Sequence, residues 1–454
     1  MHQHSLSEKD QSLLPQAVQT LLAGFPLPEI DSNLDIPRLQ SILEETAQKL
    51  HENYPYHHPL YIGQMLKPPH PLARWAYSLA MVLNPNNHAL DGGRASSRME
   101  KEAVAEIARM FGWNTHLGHL TSGGTFANLE ALWVSRETHS GKSVVASEQA
   151  HYTHSRISAV LGIPFRKVAA DAQGRMCLTS LQQQLKQGDI GTVVVTLGTT
   201  AAGAVDPLPA ILQLQSKYGF RIHVDAAYGG YYTLCSKLDA PARAAFDALS
   251  QVDSLVIDPH KHGLQPYGCG CILFRDPAVG RYYRHDSPYT YFTSDEMHLG
   301  EISLECSRPG ASAVALWATV QLLPLERNGA FAQSLDQCRQ AALQLEAWLR
   351  KSKCFVPLLH PELDIVVWTV RSDSASEANS RAREFFDAAE KHDVYLALAS
   401  FPRNMVEPAG AIKHWDQDNV TCLRSCLMKP EHLAWMPEIL ARLESTVQSL
   451  SWCS

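Results

Sequence analysis

Asp225 and Lys261 are the two residues whose type and placement most directly suggest chemistry. Asp225 ends a short apolar run inside HVDAAYGG, residues 223–230, and Lys261 follows His260 near the end of DSLVIDPHKHG, residues 253–263. Both runs read as strands, and in α/β proteins ligands sit beyond the carboxyl ends of parallel strands, so both side chains are expected to face one crevice. A lysine amine and a carboxylate in that position suit pyridoxal 5'-phosphate. The amine forms a Schiff base and the acid keeps the pyridine nitrogen protonated.

The attraction of this pair is an electron sink. Breaking a bond at the α-carbon of an amino acid leaves a carbanion, and enzymes remove about 8–23 kcal/mol from such barriers. A conjugated ring accepts that charge while its nitrogen stays cationic, which a carboxylate in a low-dielectric site favours by direct Coulomb attraction. Lys261 attacks as a neutral amine, so burial that disfavours its ammonium form is expected to help it.

Gly123, Gly124 and Thr125 lie in HLTSGGTFANLEALWVSRE, which reads as a strand end, a glycine turn and an amphipathic helix. Small residues permit close backbone approach, and free amides at a helix N-terminus bind anions. These three residues are therefore expected to cradle the cofactor phosphate. Competing signatures fail: Gly141-Lys142-Ser143 would need a glycine where Arg136 stands, and no G-x-G-x-x-G opens a helix. A dinucleotide fold is disfavoured.

The motifs HVDAAYGG, IDPHKHG, TLGTT from Thr196 and EQAH from Glu148 resemble the group II pyridoxal-phosphate decarboxylases of fold type I, which include aromatic-amino-acid, glutamate and archaeal tyrosine/aspartate decarboxylases. SGGT from Ser122 and CSRPGAS from Cys306 are also similar to the related sphingosine-phosphate lyases. The likeness runs from about residue 59 to about 428, with the motifs in the family's order. It implies that His151 stacks on the cofactor ring opposite Lys261, that Thr200 reaches the phenolic oxygen, and that Ala227 contacts the cofactor. It further implies that His260 and Ser307 touch the phosphate, Ser307 across a dimer interface, and that Arg308 orders its loop. A loop tyrosine, Tyr289 or Tyr291, would protonate the product, and Arg424 would meet the substrate carboxylate. Tyr61 and Gln64, with Tyr54, Tyr56 and His58, could line the substrate pocket.

The elements that must position these residues are legible as an α/β pattern. GTVVVTLGTTAAGAVDPL is a β-branched run bounded by Gly191 and Gly198, a buried parallel strand. A helix from Asp206-Pro207 through Tyr218 then leads to RIHVD, a right-handed crossover. CGCILFRDP is another strand. RYYRHDSPYTYFTSDEMH lacks periodicity and reads as an active-site loop. Helical spacing recurs over 37–52, 72–83, 97–111 and 311–325. IVVWTV, VYLALAS and VTCLRSCLM alternate with helices, as in a compact α+β unit. The expected division is an N-terminal helical segment, 1–75, a large cofactor-binding domain with a mostly parallel sheet, 76–325, and a smaller C-terminal domain, 326–454. Proline at 55, 59, 68, 69 and 71 leaves the first segment little core, and it is expected to pack on a partner subunit of a homodimer.

Composition bounds the alternatives. At 454 residues, with 45% hydrophobic and 19% charged residues, the chain is an ordinary globular protein. A net charge of -7 gives no general basic field, which argues against nucleic acid as the partner. The N-terminus lacks a secretory pattern, and 311–325 is too short and polar for a membrane span. Ten cysteines without a signal peptide suggest reduced thiols in a cytoplasmic compartment. The histidine pairs His116/His119 and His151/His154 lack a completing ligand, so no metal is expected. The leading reading is an L-amino-acid α-decarboxylase with an aromatic or acidic substrate. Its alternatives are a carbon–carbon lyase, an aminotransferase and a cofactor-binding protein without turnover.

Overall fold

β-Branched and apolar runs build the central sheet of the computed structural model, which describes residues 8–27, 34–89, 91–283 and 302–453. Its strands are β1 (Leu117–Thr121), β2 (Ser143–Ser147), β3 (Phe165–Val168), β4 (Ile190–Thr196), β5 (Arg221–Asp225), β6 (Ser254–Ile257) and β7 (Gly270–Phe274). They lie in the order β1-β7-β6-β5-β4-β2-β3. From β6 to β3 all neighbours are parallel, whereas β7 runs antiparallel to both β6 and β1. β4 is buried along its whole length between two parallel neighbours, which is why its seven residues carry no alternation. The helix Leu208–Tyr218 provides the crossover to β5, with Gly219 in the left-handed region (φ 72°) closing it.

The reversal of β7 matters for the site. An antiparallel neighbour needs no crossover helix, so the chain leaves β6, passes through 258–269 at the carboxyl edge of the sheet, and re-enters directly as β7. Because β1 is antiparallel to β7, its end at Thr121 lies on that same edge. Three motif-bearing segments therefore converge there: the turn after β1, the end of β5 and the loop after β6. Gly270 sits where two of them touch. A Cβ on it would lie 2.5 Å from the Gly123 carbonyl carbon and 2.7 Å from Thr121 Oγ1.

Downstream, the long helices Gly310–Leu322 and Ala330–Lys351 lead to a second, antiparallel sheet. It contains β8 (Phe355–Pro357), β9 (Ile365–Val370), β11 (Ala397–Pro402) and β13 (Asn419–Cys426), ordered β11-β13-β9-β8, while β10 (Ser372–Ser374) pairs with β12 (Ile412–His414). The segment 58–67 is stitched to this sheet. Ile62 N donates to Tyr395 O at 2.9 Å, Cys426 N to Ile62 O at 2.7 Å, and Lys429 Nζ to Tyr61 O at 2.6 Å. The helix Ile36–Leu50, begun by Asp35 and a proline at its first turn, buries none of its residues within the chain. Its apolar side, with Leu39, Ile42 and Leu43, is exposed.

Among the described residues no helix is long and apolar enough to cross a membrane. Among the described residues eight cysteines are free, but Cys354 is disulfide-bonded, which corrects the expectation that the thiols are all reduced.

Replacing Gly270 by alanine should force β7 away from the glycine turn. We expect a loss of about 1–3 kcal/mol of stability by denaturant titration, accompanied by weaker cofactor retention. A variant as stable as the parent would show that the two backbones separate freely.

Candidate active site

Asp225 is the last residue of β5 and is 6% exposed. Its Oδ2 lies 2.9 Å from His154 Nε2 and accepts from Asn128 Nδ2 at 3.3 Å, and its Oδ1 accepts the Ala227 amide at 3.1 Å. Burial opposes the carboxylate charge. The hydrogen bond and charge of His154, then the charge of Lys261 and the Ala227 amide, outweigh it and hold the group well below the usual carboxylate range. Asn128 is itself oriented. Its Oδ1 lies 2.8 Å from His223 Nε2, and His223 Nδ1 lies 2.9 Å from Ser254 Oγ. Burial depresses His223 to about 3, so its ring is neutral and its single N–H donates to Asn128 Oδ1, leaving the amide of Asn128 to face Asp225.

Asn128 rides on the helix Gly124–Thr138, whose first turn is the glycine motif. The amides of Gly124 and Thr125, the first two of that helix, have no intrahelical acceptor. The loop after β6 closes on this turn. A Cβ on Gly124 would lie 2.7 Å from Asp258 Oδ2, so only glycine lets turn and carboxylate approach this closely. Asp258 Oδ2 also lies 3.0 Å from Lys261 Nζ and 3.5 Å from His260 Nε2. The Lys261 side chain keeps 23% exposure and pairs with Asp258. Burial lowers the affinity of His260 and of His151 for a proton, and nearby Asp258 and Asp225 respectively oppose this.

These groups surround one cavity of about 390 Å³. Its lining includes Gly123, Gly124, Thr125, His151, Thr200, Asp225, Ala227, His260 and Lys261, nine positions singled out from the sequence. Asn128, Tyr228 and Asp258 also line it and were not given roles. His154, beside Asp225, reads from the sequence as one more scattered histidine. Its spacing of three from His151 at a helix start marks it, and Asp258 belongs to the IDPHKHG motif itself.

Other expected residues lie elsewhere. Ser307 does not line the cavity within one chain, and its hydroxyl accepts from Asn86 Nδ2 at 3.2 Å. Arg308 is buried, pairing with Glu100 at 2.8 Å and donating to Leu120 O at 2.6 Å, which ties its loop to β1. Tyr61, Gln64 and Tyr395 border a second cavity of about 280 Å³. Arg424, on β13, donates from Nη1 to Gln64 Oε1 at 3.1 Å, while its Nε and Nη2 are buried with no hydrogen-bond partner. Tyr289 and Tyr291 lie outside the described residues.

An ionised carboxylate at a strand end, a lysine and a histidine lining the same cavity, and two helix amides without intrahelical acceptors fit pyridoxal phosphate in charge. An α/β chain with this site is an enzyme of the fold type I class. The chain belongs to the family described as pyridoxal-dependent decarboxylase conserved domain, which matches residues 76–371. It is 26% identical to an L-tyrosine decarboxylase of Enterococcus faecium, covering 86% of this chain and 85% of that one. It is 27% identical to an L-aspartate decarboxylase of Thermococcus kodakarensis, covering 80% and 92% respectively. In fold it is similar to Catharanthus roseus tryptophan decarboxylase in complex with L-tryptophan, with a TM-score of 0.77 over 99% of this chain and 100% of that one at 16% identity. The protein is a pyridoxal-phosphate-dependent amino acid decarboxylase, a carboxy-lyase.

The buried histidines give a pH prediction. Burial holds His223 and His432 near 3, against 6.5 for a free imidazole. The unfolded chain therefore binds protons that the folded chain refuses. Their contribution to stability is complete above pH 6.5 and declines as pH falls from 6.5 toward 3, by about 1.4 kcal/mol per unit for each group. Asp206, raised to about 7 by burial, opposes one of them over part of that range. Melting temperatures of the cofactor-free protein should fall between pH 7 and pH 5. Constant values would contradict the neutral, buried state of these rings.

Proposed function

We propose that Lys261 is the residue to which pyridoxal phosphate is covalently attached and that Asp225 holds the proton on its ring nitrogen. The observation that carries this is that both groups line one cavity, with Asp225 kept ionised by His154, Asn128 and the Ala227 amide. When bound, the cofactor supplies a conjugated cationic ring that takes up the electron pair left at the α-carbon as carbon dioxide departs. The side chains do the rest. The amides of Gly124 and Thr125, with His260, hold the phosphate. Thr200 and Ala227 fix the ring, and a neutral His151 packs on its face with one N–H free to donate toward the substrate. Lys261 is regenerated when the amine leaves. Tyr289 or Tyr291 is the proposed source of the proton at the α-carbon, and Ser307 the phosphate contact from a neighbouring subunit.

Substrate recognition is assigned to Tyr61, Gln64 and Arg424. The unpartnered Nε and Nη2 of Arg424 supply the donors that a carboxylate would satisfy. The substrate is an L-amino acid with an aromatic or acidic side chain, the two kinds acted on by the tyrosine and aspartate decarboxylases named above. The exposed apolar side of the helix Ile36–Leu50, which a second surface would cover, supports a homodimer. Cytoplasmic residence rests on the eight free thiols, and the division at 75 and 325 is retained as part of the same reading.

Incubation with a panel of L-amino acids should give amine and carbon dioxide in equal amounts from a tyrosine- or aspartate-like substrate. Keto acid without carbon dioxide would point to transamination instead. Lys261→Ala should abolish steady turnover and the borohydride-stable label at that position, and near-normal rates would refute its role. Asp225→Asn should lower kcat about 10²- to 10³-fold and weaken cofactor retention; unchanged kinetics would remove the ring-nitrogen contact.

A further inference from the structure

We infer that Asp364 is a positioning residue for the reaction: a buried carboxylate from the C-terminal sheet that sets, through Tyr228 and His262, the two loops carrying Asp225 and Lys261. The inference rests on the assignment of Lys261 above.

Asp364 directly precedes β9 and is 0% exposed. The hydroxyl of Tyr228 donates to its Oδ1 at 2.6 Å, and His262 Nε2 lies 3.2 Å from its Oδ2, an ion-pair distance with incomplete hydrogen-bond alignment. Tyr228 lines the cofactor cavity three residues after Asp225, and His262 is the residue after Lys261. The two rings meet edge to face, with centroids 4.8 Å apart, and Tyr232 closes the other side of the imidazole at 5.2 Å. The carboxylate is anchored in turn, because its backbone oxygen accepts from Leu427 N at 2.8 Å, just beyond β13 and Arg424. One side chain therefore touches the segments bearing the ring-nitrogen acid and the covalent lysine, and its backbone touches the one bearing the proposed carboxylate donor.

A charge so deeply buried persists only with partners. Burial works against the ionised form, and His262 and Tyr228 outweigh it. Lys67 and Lys261 also lie close to His262, and Asp364 and His262 are both buried, so Coulomb's law carries a change of charge at Asp364 toward the amine at position 261. A carboxylate there favours the protonated state of the nitrogen at position 261. Withdrawing the Tyr228 hydroxyl leaves that negative charge less compensated, and neutralising the carboxylate removes it. The two changes therefore act in opposite directions, which loosened packing would not produce.

The test uses the holoenzyme. The pH at which the visible absorption of bound cofactor titrates is measured for the parent, for Asp364→Asn and for Tyr228→Phe, alongside kcat and KM. Asp364→Asn should lower that pH by about one unit and lower kcat about 10-fold with KM changed less than about 2-fold. Tyr228→Phe should raise it. Titration at the parent's pH in either folded variant, or a shift of both in one direction, would overturn the role of Asp364. An Asp364→Asn chain that does not fold leaves the upward shift of Tyr228→Phe to decide. Borohydride trapping separates the two readings: an unlabelled parent overturns the assignment of Lys261 itself, whereas a labelled parent with an unshifted variant overturns only Asp364.

Discussion

Keeping one carboxylate ionised inside a nearly dry sheet is the constraint on which this molecule depends. Asp225 sits at the end of a strand where transfer from water disfavours charge by several kcal/mol, yet its proposed role, holding the proton of a ring nitrogen, requires it to be an anion. Its charge is sustained by a chain of oriented groups: His154 directly, and Asn128 held by a neutral His223 that is fixed by Ser254. Each member constrains the tautomer or amide orientation of the next. The network reaches from β6 to the helix of the glycine turn, so the electrostatics of the acid and the geometry of that turn share supports.

Sheet topology does the remaining positioning. Because β7 reverses beside β6, the loop bearing His260 and Lys261 folds back over the carboxyl edge and meets the glycine turn after β1. That contact leaves no room for a side chain at Gly124 or Gly270. The same crowding brings Asp258 against Lys261, giving the amine an anionic partner and linking it to the glycine turn. The second sheet contributes from the opposite side. Asp364 reaches inward, and segment 58–67 is bonded onto β13 so that Gln64 meets Arg424.

Much of this was legible in the chain before folding was considered. β4 and β5 were readable because a β-branched run ending in a polar residue has few alternatives, and Asp225, Lys261 and the SGGT turn carried their chemistry in residue type alone. Nine of the positions chosen on motif line the cavity. The boundaries of the expected helices moved slightly: 37–52 becomes Ile36–Leu50, 72–83 Pro71–Met81, 97–111 Arg94–Met110 and 311–325 Gly310–Leu322. Capping geometry sets such ends, and periodicity does not report it.

What the sequence determined by itself is the chemistry: an acid, an amine and an anion-binding turn, each marked by local patterns that need no knowledge of distant neighbours. What only the tertiary structure decided is how those groups are charged and aimed. His154 looks like any histidine until β5 is brought beside it, and Asp258 is an unremarked letter of a motif until it meets Lys261 and Gly124. Asp364 lies more than a hundred residues from both loops it touches. Proton affinities and hydrogen-bond orientations depend on burial and on partners remote in sequence, and these exist only once the chain has folded.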